Sequence, residues 1–389
     1  MTTLGTSRAG RTDPRLASAA VAVPAYLVVR GIGVAVLAVF GAVHGRPIGS
    51  LLSKWDGEWM LAIAEYGYRG VPETLTDAQG IHSDVTAYAF FPGFPGIVRA
   101  VSALPGISTF GAAVAVNVVA GMIAAAGIAR LGMLAVQRMP GAYDPQRAGL
   151  ILVILFAAGP MSVVLNMTYT EALFCALAAW ALVGVLEHRW LLAGSAALLI
   201  GLVRPTGIAV IAVVMVTAAL AHRDGPRAWA AVVLAPLGYL GYLWYVAAQT
   251  GSVTGWFTVQ SQGWDTQLDY GAAAWRFVTD SLTSAQDFAS IATTLVILAT
   301  LGLLVWSLAA RVPWPVLTYG ALVTASILLS SGLMMSRARL LLPAFVLLIP
   351  VAALLSRQRT AVAASVLVPV VPVSAWFGAY MLTVFQFAI

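Results

Sequence analysis

The sequence predicts an all-α polytopic membrane protein in which residues 1–389 form a single integral membrane domain of about 11 transmembrane helices. Of its 389 residues, 60% are hydrophobic and only 9% are charged, and the mean hydropathy of +0.90 is typical of membrane proteins rather than soluble domains. The long apolar runs do not alternate with polar residues, as the strands of a membrane barrel would. The arginines are scattered through short loops, so the formal charge of +6 does not indicate a nucleic-acid partner.

The first span is predicted from about residue 16 to residue 43. It is too long for the apolar core of a signal peptide and lacks a convincing cleavage site, so we interpret it as an uncleaved span. Arg30 lies inside this span, where a charge is costly. Two explanations remain open: Arg30 extends toward the cytoplasm, or it pairs within the helix bundle.

The remaining apolar runs predict further spans separated by short polar segments. Two of these runs are short and flank Arg204-Pro205, so they are either two spans or one broken helix. The approximate ranges are 109–130, 149–168, 171–187, 190–203, 206–221, 228–249, 288–310, 315–333, 340–355 and 360–387.

The arginines also indicate the orientation of the spans. If the N-terminal segment that contains Arg8, Arg11 and Arg15 is cytoplasmic, most other arginines lie in cytoplasmic loops and most acidic residues lie on the opposite side. The two long loops, 44–108 and 250–287, then face outward. We therefore expect a multi-pass protein of the cell membrane with its active site on the extracytoplasmic face.

The stretch 50–68 in the first outer loop contains the strongest candidate for a catalytic residue. As one continuous helix, it places its aromatic and aliphatic side chains on one face, and Lys54 and Glu58 on the other. Such an aromatic-rich amphipathic helix is typical of a membrane interface. Asp56 lies at the edge of the apolar face, where a carboxylate held partly out of water can act as a base. The structural alternative is that Asp56 only caps or hydrogen-bonds nearby backbone.

Three arginines at outward-facing span ends are candidates for binding a phosphate. Arg337 and Arg339 lie between two late spans, against the positive-inside preference, and Arg204 lies at another outward turn. Arginine binds phosphate through planar, bidentate hydrogen bonds. The alternatives are attraction of Arg337 and Arg339 to anionic lipid headgroups and simple snorkelling of Arg204 at a span end.

Other polar and aromatic residues on the outer side are candidates with more ordinary alternatives. For Glu171, which follows Tyr169 by two residues, the alternative is an acid at a helix N-terminus that is stabilised by the helix dipole. The aromatic residues of the second outer loop favour interfacial anchoring over sugar stacking. In that loop Trp264 precedes Asp265, which repeats the Trp-Asp pair of the first loop and makes Asp265 a rival base.

The residues that commonly bind metals give weak signals. Cys175 is the single cysteine and lies within an apolar run, so it forms no disulfide and is a packing residue. His82 and Asp84 share a loop, but two residues in a loop of this kind are a weak indication of a metal site. We predict no metal site.

Five of these motifs together resemble the PIG-V-type mannosyltransferases, which belong to the GT-C class of polytopic glycosyltransferases. The resemblance extends from about residue 50 to residue 350, and it departs from the family at Leu340, where the family usually has tyrosine. The similar elements are Lys54-Trp55-Asp56 with Ile63 to Tyr68, Phe90 to Pro95, Pro160 with Tyr169-Thr170-Glu171-Ala172-Leu173-Phe174, Gln260 to Trp264, and Arg339 to Phe345.

The resemblance implies an inverting transfer of mannose, or another hexose, from a polyprenyl-phosphate donor to a lipid or glycan acceptor. Asp56 would be the catalytic base. Arg204, Arg337 and Arg339 would neutralise the leaving phosphate, so no cofactor is required, although a divalent cation is not excluded. The residues implied to support the site or bind substrate are Trp55, Tyr169, Glu171, Gln260 and Trp264.

A transporter or flippase of a lipid-linked sugar is the alternative function. It would share the spans and the phosphate-binding arginines, but it would not need a carboxylate at the membrane interface and would place more polar residues at mid-membrane. Arg30 is the one clear charge in the middle of a predicted span. The glycosyltransferase is therefore the favoured interpretation.

Overall fold

The computed structural model describes residues 14–284, 287–385 and 387–388, so Arg8 and Arg11 lie outside the described residues. Eighteen α-helices account for most of this part of the chain. They are α1 Pro14–Val43, α2 Ile48–Leu52, α3 Asp56–Tyr66, α4 Gly93–Ser102, α5 Thr109–Val136, α6 Pro145–Ala157, α7 Glu171–Leu186, α8 Trp190–Ile200, α9 Ile208–Leu220, α10 Pro226–Leu234, α11 Leu237–Thr250, α12 Gly255–Trp264, α13 Ala272–Ser284, α14 Phe288–Ala309, α15 Trp314–Leu328, α16 Arg337–Leu340, α17 Ile349–Ser356 and α18 Thr360–Thr383.

The helices confirm the predicted all-α membrane fold. Among the described residues, five helices are long and apolar enough to cross a membrane, and a bent pair, Met334–Leu340 with Leu342–Ser356, makes a sixth candidate. The other predicted spans coincide with shorter apolar helices. An isolated β-bridge joins Leu268 and Ser330, and the structure assigns no strand within the described ranges.

Small residues allow the central helices of the bundle to approach one another closely. α5 packs against α1, α6 and α7, and α1 also packs against α18. Where α5 meets α6, a Cβ added at Gly149 would lie 2.5 Å from the carbonyl oxygen of Ala129, and one added at Gly132 would lie 3.1 Å from the Cα of Gly149. Membrane helices pack through small residues in this way because apolar burial gains little in lipid.

Arg30 pairs within the bundle, which is the second of the two explanations that the sequence left open. Its side chain is buried, and its Nε atom donates to Asn166 Oδ1 at 2.7 Å. Its Nη1 atom donates to the carbonyl oxygen of Ala157 at 2.9 Å and to Ser162 Oγ at 2.6 Å. Arg30 therefore donates hydrogen bonds to the last residue of α6 and to the segment that connects α6 to α7.

The stretch 190–221 forms two helices rather than one broken helix. α8 and α9 pack against each other, and α10 packs against both. The connection between them carries Arg204 in extended backbone and a short 3₁₀ turn over Pro205–Gly207. This turn places Arg204 beside the amino end of α7.

Candidate functional site

Asp56 lies at the start of a helix, not within one, so the predicted continuous helix over 50–68 is wrong. α2 ends at Leu52 and α3 begins at Asp56. Between them, Trp55 adopts φ 55° and ψ −116°, a region that non-glycine residues rarely occupy and that costs about 1–3 kcal/mol. The break places the Asp56 carboxylate at the positive end of the α3 dipole, where negative charge is stabilised.

Contacts from elsewhere in the bundle hold the break in place. Lys54 Nζ donates to the carbonyl oxygen of Leu382 at 2.9 Å and lies 4.7 Å from the centroid of the Trp55 ring. Partial burial and the nearby charge of Arg46 lower the pKa of the Lys54 ammonium group. The Tyr169 hydroxyl donates to the carbonyl oxygen of Lys54 at 3.1 Å.

Gly57 allows the first turn of α3 to contact the segment that precedes α7. A Cβ at Gly57 would lie 2.4 Å from the Thr168 hydroxyl oxygen and 3.3 Å from the Tyr169 ring. The backbone N–H of Thr168 donates to the carbonyl oxygen of Leu52 at 2.9 Å. Asn117 Nδ2 donates to the carbonyl oxygen of Tyr169 at 3.0 Å, which fixes the same segment from its other side.

The structure brings Asp56 and Arg339 into direct contact. Arg339 Nη1 lies 2.7 Å from Asp56 Oδ2, with the Arg339 side chain 8% exposed and the Asp56 side chain 33% exposed. The Arg339 guanidinium also lies over the Tyr169 ring, 4.9 Å from its centroid. An acid from loop 44–108 and an arginine from α16 thus form one cluster, and the Arg339 guanidinium of this cluster lies on the Tyr169 ring.

Arg204 and Glu171 form a second ion pair beside the first. Arg204 Nη1 lies 2.6 Å from Glu171 Oε1, and Glu171 is only 1% exposed. Glu171 is the first residue of α7, so the helix dipole stabilises its carboxylate as well. The charge of Arg204 is therefore balanced by a buried acid.

Arg337 differs from the other two arginines in its partners. Its Nη2 atom donates to the carbonyl oxygens of Ser330 and Ser331, each at 2.6 Å. Among the described residues no carboxylate forms an ion pair with Arg337, and Asp269 acts on it only at longer range. Its buried Nε atom has no hydrogen-bond partner in this part of the chain. Among the three arginines, Arg337 is therefore the one whose positive charge is not balanced by a carboxylate in an ion pair within the described residues.

All three arginines line one cavity of about 310 Å³. This volume is at the lower end of the range that holds small ligands. Its lining includes no acidic side chain, and its walls come from the turn before α9, from α12, from the end of α15 and from the segment through α16. The lining residues are Arg204, Pro205, Thr206, Ile208, Trp256, Gln260, Trp264, Thr266, Ser326, Ile327, Ser330, Ser331, Leu333, Ser336, Arg337, Arg339 and Leu340.

Gln260 and Trp264, both predicted to support the site, lie on the cavity wall formed by α12. Gln260 Nε2 donates to the carbonyl oxygen of Ala89 at 3.0 Å, so its amide joins α12 to the first outer loop. The Trp264 ring lies edge-on to Phe90 and Trp59, with centroid distances of 5.6 Å and 6.4 Å. Loops 44–108 and 250–287 therefore meet at this wall.

Two other candidates take no part in the ion pairs of the described residues. Asp265 is exposed in left-handed backbone after α12 and pairs with none of the three arginines in this part of the chain. His82 Nδ1 contacts the carbonyl oxygen of Leu75 at 2.7 Å. Within the described ranges, no three His, Cys, Asp or Glu side chains cluster as metal ligands.

Sequence reasoning missed Trp256, Thr206 and Ser336. Each lines the cavity, and each has a buried polar atom without a hydrogen-bond partner among the described residues: Trp256 Nε1, Thr206 Oγ1 and Ser336 Oγ. The one available signal was the position of Thr206 two residues after Arg204 and of Ser336 directly before Arg337. The unpaired state of these atoms depends on tertiary packing and leaves no mark on the sequence.

Comparisons with solved structures identify the fold. ArnT from Cupriavidus metallidurans bound to undecaprenyl phosphate is similar with a TM-score of 0.54 at 15% identity, over 92% of this chain and 76% of ArnT. The apo state of the same protein gives a TM-score of 0.50 at 15% identity, over 84% and 71%. No protein-family model and no curated protein matches the chain. The chain therefore has a fold similar to that of ArnT. At this identity the likeness shows the fold, and the PIG-V subfamily that the resemblance implies stays a prediction.

Proposed function

We propose that this protein is an inverting glycosyltransferase that moves mannose or another hexose from a polyprenyl-phosphate donor to a lipid or glycan acceptor. The observation that carries the proposal is the contact between Asp56 and Arg339, at 2.7 Å, beside a cavity lined by three arginines. A candidate base and a candidate phosphate site are therefore adjacent. The ArnT-like fold, found in a structure bound to undecaprenyl phosphate, supports a lipid phosphate as the anionic group.

The proposed reaction is a single displacement at the anomeric carbon. Asp56 accepts the proton of the acceptor hydroxyl while the hydroxyl oxygen forms a bond to the anomeric carbon. The bond between that carbon and the phosphate oxygen breaks, its electron pair leaves with the polyprenyl phosphate, and the configuration inverts. The proton ends on the Asp56 carboxylate.

The ion pairs suggest separate roles for the three arginines. Arg339 is held by Asp56 and Arg204 by Glu171, whereas Arg337 has the unbalanced charge that attracts the singly charged phosphodiester of the donor. As the sugar leaves, negative charge grows on the phosphate oxygen, and preorganised cations stabilise that charge. We infer that Arg337 anchors the donor phosphate and that Arg339 is shared between this phosphate and the base.

The arginines supply the positive charge that the leaving phosphate needs, so the mechanism requires no cofactor, although it remains compatible with a divalent cation. The positive-inside distribution of arginine supports a site on the extracytoplasmic face of the cell membrane. A lipid-anchored donor could reach such a site from within the outer leaflet.

A transfer assay in two formats separates the enzyme from a flippase. Purified protein in nanodiscs receives polyprenyl-phosphate mannose with a labelled sugar, together with membrane lipids and glycans as acceptors. Movement of label to a new acceptor with release of polyprenyl phosphate supports the transferase, and Asp56→Asn should abolish it. In sealed vesicles, movement of intact donor between leaflets without any transfer would instead favour the flippase.

A further inference from the structure

We infer that Thr206, Trp256 and Ser336 are specificity-determining residues that bind the hydroxyl groups of the donor sugar, an inference that rests on the proposed function. They come from the turn before α9, from α12 and from the short turn before α16, and all three line the same cavity. None is adjacent to another in the chain. Their common property is a buried polar atom without a protein partner.

The unpaired state of these atoms is unusual for a folded protein. Trp256 is 7% exposed and Ser336 is 3% exposed, and the Thr206 hydroxyl oxygen is buried although its residue is partly exposed. Most buried polar atoms in proteins find a hydrogen-bond partner, because an unpaired one forfeits its hydration without compensation. Three such atoms around one cavity indicate a ligand with several hydrogen-bonding groups.

The neighbouring hydroxyl groups of the cavity are already engaged, which sets these three apart. Ser331 Oγ donates to the carbonyl oxygen of Asp265 at 2.5 Å, and Ser326 Oγ donates to that of Val323 at 2.8 Å. The hydroxyl group of Ser330 donates to the carbonyl oxygen of Ser326 at 3.0 Å. Those serines satisfy the protein backbone, whereas Thr206, Trp256 and Ser336 retain their capacity for a ligand.

The cavity combines charged and neutral donors in the way that a sugar phosphate requires. The guanidinium groups of Arg204, Arg337 and Arg339 match a phosphate, and the indole N–H of Trp256 and the two hydroxyl groups match uncharged hydroxyls of a pyranose. The lining contains no carboxylate that would favour a cationic amino group. The three neutral side chains therefore discriminate the sugar, while the arginines bind the part that all polyprenyl-phosphate donors share.

The test compares binding of a sugar-bearing and a sugar-free lipid. Thr206→Val and Ser336→Ala remove a hydroxyl with little change in shape, and binding of polyprenyl-phosphate mannose and of polyprenyl phosphate is measured by titration in nanodiscs. Each variant should weaken binding of the mannose lipid by about 5- to 10-fold and leave binding of the sugar-free lipid unchanged. Trp256→Phe should act in the same direction.

Thr294→Val is the matched control. Thr294 lies on α14 with a fully buried hydroxyl that also has no partner among the described residues, but it does not line the cavity. The control should bind both lipids as the wild type does. If Thr206→Val and Ser336→Ala left binding of both lipids unchanged, or weakened binding of both equally, this inference would be overturned and the proposed function would stand. A wild-type protein that bound neither lipid would overturn the proposed function and this inference together.

Discussion

Arg339 lies over the ring of Tyr169 and at the same time pairs with Asp56, so one guanidinium joins the segment before α7 to the first turn of α3. The three residues come from distant parts of the chain. Tyr169 also donates to the carbonyl oxygen of Lys54, which precedes the strained Trp55. The orientation of the candidate base is therefore determined from both sides of the helix break.

Asp56→Asn should reduce sugar transfer by at least about 100-fold, because asparagine cannot accept the acceptor proton. Donor binding should be retained or slightly strengthened, since Arg339 would no longer be held by a carboxylate. Transfer rate and donor affinity are measured separately with the labelled mannose lipid. Glu58→Gln, an exposed change two residues away, should behave as wild type.

A loss of stability must be distinguished from a loss of chemistry in this variant. Removing one member of a fully buried ion pair costs about 3–5 kcal/mol, and the 33% exposure of Asp56 should reduce that cost. Combining Asp56→Asn with Arg339→Gln removes both charges and should restore thermal stability without restoring transfer. Recovery of transfer in the double variant would contradict the role of Asp56 as base.

Gly57→Ala should impair transfer by displacing the Asp56 turn. The new Cβ would meet the Thr168 hydroxyl oxygen at 2.4 Å and the Tyr169 ring at 3.3 Å, so we expect the first turn of α3 to shift away from Thr168 and Tyr169. A shift of about 1 Å at a catalytic group can cost about 100-fold in rate. Gly96→Ala on α4 is the control, because its Cβ would meet nothing within 4 Å. The transfer rates of the two variants are compared at equal concentrations of folded protein.

Hydrophobic patterning predicted the membrane fold well, because most of the predicted spans are long apolar runs. In a chain this apolar, such a run is best explained as a membrane helix. The same reasoning failed at residues 53–55. The periodicity of 50–68 continues through Trp55, but the contacts of Lys54 with Leu382 and Tyr169 break the helix there. Tertiary contacts overrode local pattern, as they often do at functional sites.

The sequence motifs identified residues of the site, but they did not predict which of these residues form ion pairs with each other. The resemblance singled out Asp56, Glu171, Arg204 and Arg339, yet nothing in the sequence says which acid balances which arginine. That pairing depends on the packing of α3 and α7 against the segments around 204 and 339. The same packing gives Arg204 and Arg339 carboxylate partners and gives Arg337 backbone carbonyl partners instead.

Arg30→Met should destabilise the protein by about 3 kcal/mol or more, because several buried acceptors lose a charged donor. Asn166 Oδ1 and the carbonyl oxygen of Ala157 would lose this donor, whereas Ser162 Oγ would keep its contact with Ser374 Oγ at 3.2 Å. Thermal unfolding in detergent measures the change. Arg99→Met, which removes an exposed arginine on α4, should shift the unfolding temperature little. Equal stability of the two variants would show that the Arg30 contacts contribute nothing net.

Arg337→Lys and Arg339→Lys should impair different steps. Arg337 uses Nη2 for two backbone carbonyls and keeps Nε free, an arrangement that a lysine ammonium cannot reproduce, so donor affinity should fall. Arg339 stacks on Tyr169 and pairs with Asp56, so its replacement should lower the turnover rate more than donor affinity. Both are measured with the mannose lipid in nanodiscs of neutral and of anionic lipid.

The lipid composition separates a phosphate site from general attraction to headgroups. A specific phosphate contact requires the planar fork of arginine, so lysine variants should be impaired in both kinds of nanodisc. Attraction to anionic headgroups requires charge alone, so lysine should then substitute freely and alanine should matter only in anionic lipid. If the Arg337 variants showed this second pattern, Arg337 would not belong to the phosphate site. If the Arg339 variants showed it, the role of Arg339 would be limited to its contacts with Asp56 and Tyr169.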